Sequence, residues 1–283
     1  MTWYEALAVL AVGLGAGVLS GMFGVGGAVL TTPGIRVLGA TPIEAVGSTI
    51  PAILPGALSG TWRYSRAGIV NWRVGLVCGA TGSVLAVVGA WVSDLVNAHL
   101  LMVLTAVLAG WGGVSTARSG RAGGAASEEV GEAAREAARV VAEDGAATVA
   151  AGSATTVASA HLGTATLALV GSCAGFLAGL LGVGGGVVMV PAFTAVLRIP
   201  IKEAVASSLV AVAIFSVPAL ITHVTLGHVN WAFALLLMVG SVPRAQLGSH
   251  LTLGSSERTI RVLFGGFLVV LAVVYGSAEL AAL

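Results

Sequence analysis

The chain carries one seven-residue core twice, each time inside a long apolar stretch. The copies are Gly21-Met22-Phe23-Gly24-Val25-Gly26-Gly27 and Gly179-Leu180-Leu181-Gly182-Val183-Gly184-Gly185, 158 residues apart. Upstream, Gly13, Ala16, Gly17 and Leu19 recur as Gly171, Ala174, Gly175 and Leu177. Downstream, Pro33 recurs as Pro191 and Glu44-Ala45-Val46 as Glu203-Ala204-Val205, one residue having been gained. Further on, Gly68, Val70, Asn71 and Trp72 recur as Gly227, Val229, Asn230 and Trp231. A duplicated half whose opening apolar segment is broken by glycine is the sequence sign of a secondary transporter.

Composition agrees. The chain is 57% hydrophobic and 9% charged, with a mean hydropathy of +1.01; soluble domains carry roughly 25% charged residues. The 41 glycines suit closely packed membrane helices. A net charge of +1 with dispersed arginines forms no basic patch and gives no footing for nucleic acid. Cys78 and Cys173 sit in apolar segments at non-equivalent places, which argues against a disulfide. No basic region precedes the first apolar run, so the N-terminus does not read as a signal peptide.

Charge-free runs mark the spans: 6–35, 45–62, 74–93 and 95–117, then 145–197, 204–243, 245–256 and 262–278. One crossing needs about 20 apolar residues. The run that opens each half is too long for one helix. It reads as a hairpin: a full-length helix, a Gly-x-Gly-Gly break, and a shorter apolar helix ending near Arg36 or Arg198. With three further spans this makes five segments per half. The fold expected is an all-α polytopic membrane protein of two inverted repeats, over 1–117 and 161–283, with glycine-broken helices at the centre. Residues 118–160 form an Ala-rich linker holding ten of the 25 formal charges, and Glu132/Glu136 with Arg135/Arg139 stand at helical spacing.

The arginines orient the halves. Placing 63–73 and the linker in the cytoplasm puts Arg63, Arg66, Arg73, Arg118 and Arg121 inside. An odd number of segments then inverts the second half. Its cytoplasmic loops carry Arg198, Lys202, Arg258 and Arg261, while the loop around 223–230, without Lys or Arg, faces outside. Arg36 is the exception.

Four groups of residues stand out as candidates for chemistry. Gly24, Gly26 and Gly27, with Gly182, Gly184 and Gly185, permit positive φ and close approach to backbone N–H groups, and a helix starting after them favours an anion. A helix break filled by neighbouring helices is the plainer alternative. Ser48-Thr49 and Ser207-Ser208 sit early in the next spans, where they either bond their own helix or face a polar cavity. Glu44 and Glu203 complement a helix start, or carry a coupling proton. Arg244, at the repeat position of Leu85 with Gly240 and Gly248 one turn away, either contacts an anion or snorkels to the interface. The five histidines show no metal-ligand spacing, and no cofactor is indicated. His223 stands at the repeat position of Tyr64, and both are expected to cap interfacial turns. The repeated Asn-Trp pairs read as helix-starting anchors.

The ordered set of these motifs resembles the TauE/SafE family of sulfite exporters and related permeases. The pieces are Gly21-x-x-Gly24-Val25-Gly26-Gly27 with Pro33, Glu44-Ala45-Val46-Gly47-Ser48-Thr49 and Gly68-x-Val70-Asn71-Trp72. Their counterparts are Gly179-x-x-Gly182-Val183-Gly184-Gly185-Gly186 with Pro191, Ala204-Val205-Ala206-Ser207-Ser208 and Gly227-x-Val229-Asn230-Trp231. Ala28 stands where a third glycine is usual, and the charged linker is long for the family. The resemblance implies a multi-pass protein of the cell membrane that exports a small sulfur-containing anion, sulfite or an organosulfonate, driven by an ion gradient. Its expected partners are that anion, the lipid bilayer and a coupling proton or ion; a homo-oligomer is left open. A non-transporting membrane scaffold and an anion channel are the alternatives. An enzyme is not expected, because no catalytic constellation lies within the spans.

Overall fold

The computed structural model describes residues 3–96, 100–101, 103–116 and 163–280, and their regular structure is helical throughout. The first half contributes α1 (Trp3–Phe23), α2 (Ala28–Val37), α3 (Pro42–Arg66), α4 (Trp72–Leu95) and α5 (Val103–Thr116). The second contributes α6 (Thr164–Leu181), α7 (Gly186–Ala195), α8 (Ile201–Thr225), α9 (Trp231–Gly254) and α10 (Glu257–Leu280). The charged linker lies outside the described residues. Six of these helices, α1, α4, α6, α8, α9 and α10, are long and apolar enough to cross a bilayer. The chain is a multi-pass membrane protein. The 25-residue α3 has the length to cross, but Ser48, Thr49, Ser59, Thr61 and the charged residues at its ends make it more polar.

Local sequence sets the element ends. Thr41 and Glu44 form a reciprocal capping box at the start of α3, with Pro42 at the first helical position. Asn71 caps α4 through Val74 N–H, and Asn230 caps α9 through Ala232 N–H. The repeated asparagines are helix starters, as their position suggests. All six tryptophans are exposed, as amphipathic rings are at a membrane interface. The outward faces of α4, α5 and α10 carry Val84, Val88, Val107, Val262, Val270 and Val273, all exposed, which suits a lipid-facing surface. Cys78 and Cys173 are free thiols.

Two glycine seams hold the bundle together. Along α1, Gly13, Gly17 and Gly21 meet Leu237, Ser241 and Ala245 of α9, and Gly248 of α9 meets Val18 and Met22. Along α6, Gly171, Gly175 and Gly179 meet Cys78, Gly82 and Ala86 of α4, and Gly89 of α4 meets Phe176 and Leu180. At most of these positions a methyl group would overlap the partner's backbone. Lipid removes the hydrophobic drive between helices, so close backbone packing of this kind is what holds them.

The contact order gives helix direction. Residue numbers rise together along both seams, so α1 runs parallel to α9 and α4 parallel to α6. Ser20 and Gly21 meet Gly56 and Gly60, making α1 parallel to α3. Helices α3 and α8 run oppositely, since Ile53 and Val212 share one level and Gly60 meets Leu209. Helix α4 follows α8, with Gly75 against Val210 and Gly79 against Ile214. Helices α1 and α2 form an antiparallel hairpin, with Gly27 against Ala16, Leu30 against Gly15 and Gly34 against Val12. At ten residues, α2 and α7 each rise roughly 15 Å, half a hydrocarbon core.

Candidate functional site

The two hairpin turns are built from left-handed glycines. Gly24, Gly26 and Gly27 have φ of 72°, 81° and 78°, and Gly182, Gly184 and Gly185 have 63°, 84° and 65°. Side-chain-bearing residues are strained there, so six positive-φ residues within two short turns require glycine. Ala28 already stands within α2, after the last of these turns. The missing third glycine therefore falls on a helical position.

The structure brings the breaks together. A methyl group at Gly26 would lie 3.7 Å from the Gly184 Cα, and one at Gly184 would lie 3.6 Å from the Gly26 Cα. Both runs are buried. Side chains that the sequence argument did not single out close the junction. Ile53 Cγ2 stands 2.9 Å and Val212 Cγ1 3.3 Å from the Gly26 methyl position. Ile53 and Val212 occupy the same position in the two repeats, a signal that duplication carried but that apolar residues do not announce.

Four helix ends converge here, and their polar groups are treated unequally. Ser208 Oγ donates to the Gly24 carbonyl at 3.1 Å, and Thr49 Oγ1 donates to the Gly182 carbonyl at 3.3 Å. Each hydroxyl shares its single hydrogen with a carbonyl of its own helix, Val205 or Val46. The carbonyl ends of α1 and α6 are thus held by the opposite half. Neither Gly27 nor Gly185, the N-caps of α2 and α7, supplies a side-chain cap. The N–H groups of a first turn lack intrahelical partners and carry partial positive charge. The junction therefore presents two helix starts without side-chain caps, although the Gly186 N–H is taken by the Gly184 carbonyl at 2.7 Å. One turn before Gly24, Ser20 Oγ is buried without a hydrogen-bond partner among the described residues, an additional polar atom next to Gly56. Its repeat counterpart is Ala178, so symmetry could not flag it.

The other sequence candidates fall elsewhere. Ser48 Oγ accepts the Asn230 N–H at 2.8 Å and Ser207 Oγ accepts the Asn71 N–H at 2.9 Å, so each ties the start of a helix in the opposite half. Glu44 closes its capping box with Thr41 at 2.9 Å, and Glu203 accepts from Asn71 Nδ2 at 2.9 Å. Arg244 is exposed on α9, beside Ala245, which packs on α1. Gly240, Ser241, Ala245 and Gly248 all pack on α1, and Arg244 stands exposed at the edge of that seam. A long basic side chain there extends outward. The structure does not bring it to the breaks.

Tyr64 and His223 cap the turns after α3 and α8 through their carbonyls, which accept from Ile69 N–H and His228 N–H, and their side chains, fully buried, do more. Tyr64 donates its hydroxyl to the Gly21 carbonyl at 2.7 Å, and His223 Nε2 stands 3.1 Å from the Gly179 carbonyl. Each braces the last turn before a glycine break.

Comparison with known proteins agrees with this architecture. The family profile described as Sulfite exporter TauE/SafE matches residues 9–275. A "Probable membrane transporter protein YunE" of Bacillus subtilis (strain 168) is 28% identical, covering 93% of this chain and 94% of its own length. A "Probable membrane transporter protein" of Xylella fastidiosa (strain Temecula1) is 27% identical over 96% of this chain and 95% of its own. One from Methanocaldococcus jannaschii, MJ0441, is 30% identical over 36% of this chain and 42% of its own. No solved structure matches the chain. The chain belongs to the TauE/SafE sulfite exporter family, a family of membrane transporters.

Proposed function

We propose that this TauE/SafE transporter exports a small sulfur-containing anion, sulfite or an organosulfonate, across the plasma membrane, driven by an ion gradient. The observation that carries the proposal is the contact between the Gly26 and Gly184 breaks, where two uncapped helix N-termini converge. A small oxyanion needs donors to offset desolvation, and backbone N–H groups at helix starts supply them at fixed positions. The site proposed comprises Gly24, Gly26, Gly27, Gly182, Gly184 and Gly185, with Thr49 and Ser208 holding the turns open and Ser20 beside them. Ser48 and Ser207 act one layer out, through the helix starts they tie. Arg244 is left out of the site.

The motion proposed is alternating access between inverted halves. The parallel pairing of α1 with α9 and of α4 with α6 supports inversion, because α3 and α4 run oppositely. Helices α1 and α6, which are repeat equivalents, then run in opposite senses. Ile53 and Val212 seal the junction in the conformation seen, as suits an occluded carrier better than an open channel. The arginine distribution supports a cytoplasmic linker.

Thermal unfolding in detergent with sulfite, sulfate, thiosulfate, taurine and chloride tests the ligand class. A bound ligand at about 100 times its Kd stabilises by about 2.7 kcal/mol. Stabilisation by sulfite or a sulfonate but not by chloride is expected. Equal, negligible effects from all five would contradict an anion site.

A further inference from the structure

One cluster is asymmetric between the halves. His223 Nδ1 lies 3.1 Å from His228 Nδ1, and His228 Nε2 lies 3.1 Å from Asp94 Oδ1. With the Gly179 carbonyl at the far end, four groups form one chain of three contacts. His223 is fully buried, His228 is 7% exposed, and the Asp94 side chain is 53% exposed. The chain runs from the surface to the last turn before the Gly182–Gly185 break. At the repeat positions the first half has Tyr64 and Ile69 for the histidines, and the second has Leu253 for Asp94. The carbonyl brace survives in Tyr64, but the path to the surface does not. Three polar residues from two different helices and a turn depart from the repeat together.

Counting protons shows what the cluster binds. A carbonyl and a carboxylate, both acceptors when Asp94 is ionised, stand at the two ends. Three contacts require three bridging hydrogens. Two neutral imidazoles and a carboxylate supply two. His223 Nε2–H serves Gly179, which leaves His223 Nδ1 as an acceptor. His228 then either donates from Nδ1 to His223 and faces the carboxylate with a lone pair, or donates to Asp94 and faces His223 with one. Either way one contact sets two acceptors 3.1 Å apart, which is repulsive. One added proton closes all three contacts, as an imidazolium on His228 beside the carboxylate or as a protonated Asp94 donating to a neutral His228.

We propose that His223, His228 and Asp94 form a proton-binding site that couples proton entry to movement of the Gly182–Gly185 break; this coupling role rests on the transport reading above. Asp94 receives the proton from water, and it lies on the outer side in the orientation proposed. His228 Nε2 takes it, His228 Nδ1–H donates to His223 Nδ1, and His223 Nε2–H holds the Gly179 carbonyl. Loss of the proton breaks the His223–His228 or the His228–Asp94 contact, which loosens the support of His223 and, through its Nε2–H, of the Gly179 carbonyl three residues ahead of Gly182. The elements packed around the pair add little other charge among the described residues. Helix α4 brings Asp94. Helix α3 packs Gly47 on the His228 backbone, and its Glu44 is held by Thr41. The end of α6 and the start of α9 bring no charged group.

Two measurements test this. Histidine-selective ¹⁵N NMR of the full chain in nanodiscs reports protonation whether or not any anion is moved. The ring resonances of His223 and His228 should respond together when pH is varied, as coupled sites do, and Asp94→Asn should change that joint response. Invariant signals, or an Asp94→Asn titration identical to the parent, would overturn the proton site. In proteoliposomes, sulfite flux is measured with and without an imposed pH gradient. The ratio should collapse about tenfold or more in Asp94→Asn and in His223→Tyr, which restores the Tyr64-type brace. An undiminished ratio in both variants would overturn the coupling role. If the parent moves no anion, the transport reading fails and the coupling role falls with it, while the NMR result alone decides the proton site.

Discussion

At the residue scale, the junction rests on two hydroxyls placed by duplication. Thr49 and Ser208 satisfy the carbonyls at which α1 and α6 end. Removing such a donor leaves a buried acceptor unpaired, at a cost of about 1–3 kcal/mol. Thr49→Val and Ser208→Ala should each lower thermal stability in detergent by that order, and the double variant should lose more than either single one. No change in either melting curve would show these bonds to be incidental. Arg244→Gln, by contrast, should leave sulfite flux within about twofold of the parent, because exposed surface substitutions usually act weakly. A loss of tenfold or more would return Arg244 to the anion path. The sequence made Thr49 and Ser208 visible because they recur, yet their partners lie in the opposite half, which no local pattern reveals. Arg244 drew attention as a lone charge in an apolar helix, but periodicity could not decide on which side of the seam it falls. His223 and His228 were visible as residues; their link to Asp94, 134 positions away, was not.

At the element scale, small-residue seams replace side-chain interdigitation. Gly17 meets the Ser241 backbone and Gly175 meets the Gly82 backbone. Methyl groups at these positions have no room, and overpacking costs about 1–3 kcal/mol even where neighbours can move. Gly17→Ala and Gly175→Ala should therefore reduce the yield of monodisperse protein in size-exclusion chromatography, whereas Gly254→Ala, with open space around it, should not. Equal yields from all three would argue that the seams are looser than described. The helices and their breaks were legible because Gly-x-Gly-Gly stands inside runs too long for one crossing. The seams were legible only as an abundance of glycine, since which helix lies opposite is a matter of tertiary packing. The α1–α9 and α4–α6 pairings each join one half to the other, a relation that spacing along a single segment cannot express.

At the scale of the whole molecule, each half supplies the parts the other lacks. Helix α3 holds the end of α6 and the start of α9, while α8 holds the end of α1 and the start of α4. Such cross-bracing makes the central junction a shared object, through which the proposed alternating-access motion of one half would reach the break in the other. The proposed topology places the linker in the cytoplasm. A cysteine introduced at Ser127 should react only with reagents that enter the cell, and labelling by an impermeant reagent from outside would reverse the orientation. The central claim is that the meeting of the two glycine breaks is the anion site, and it is tested most directly by sulfite flux in proteoliposomes containing Gly26→Leu or Gly184→Leu protein. Both variants are first verified as inserted and monodisperse. The account predicts that each loses sulfite flux while remaining in the membrane. Parent-like flux from both would contradict it.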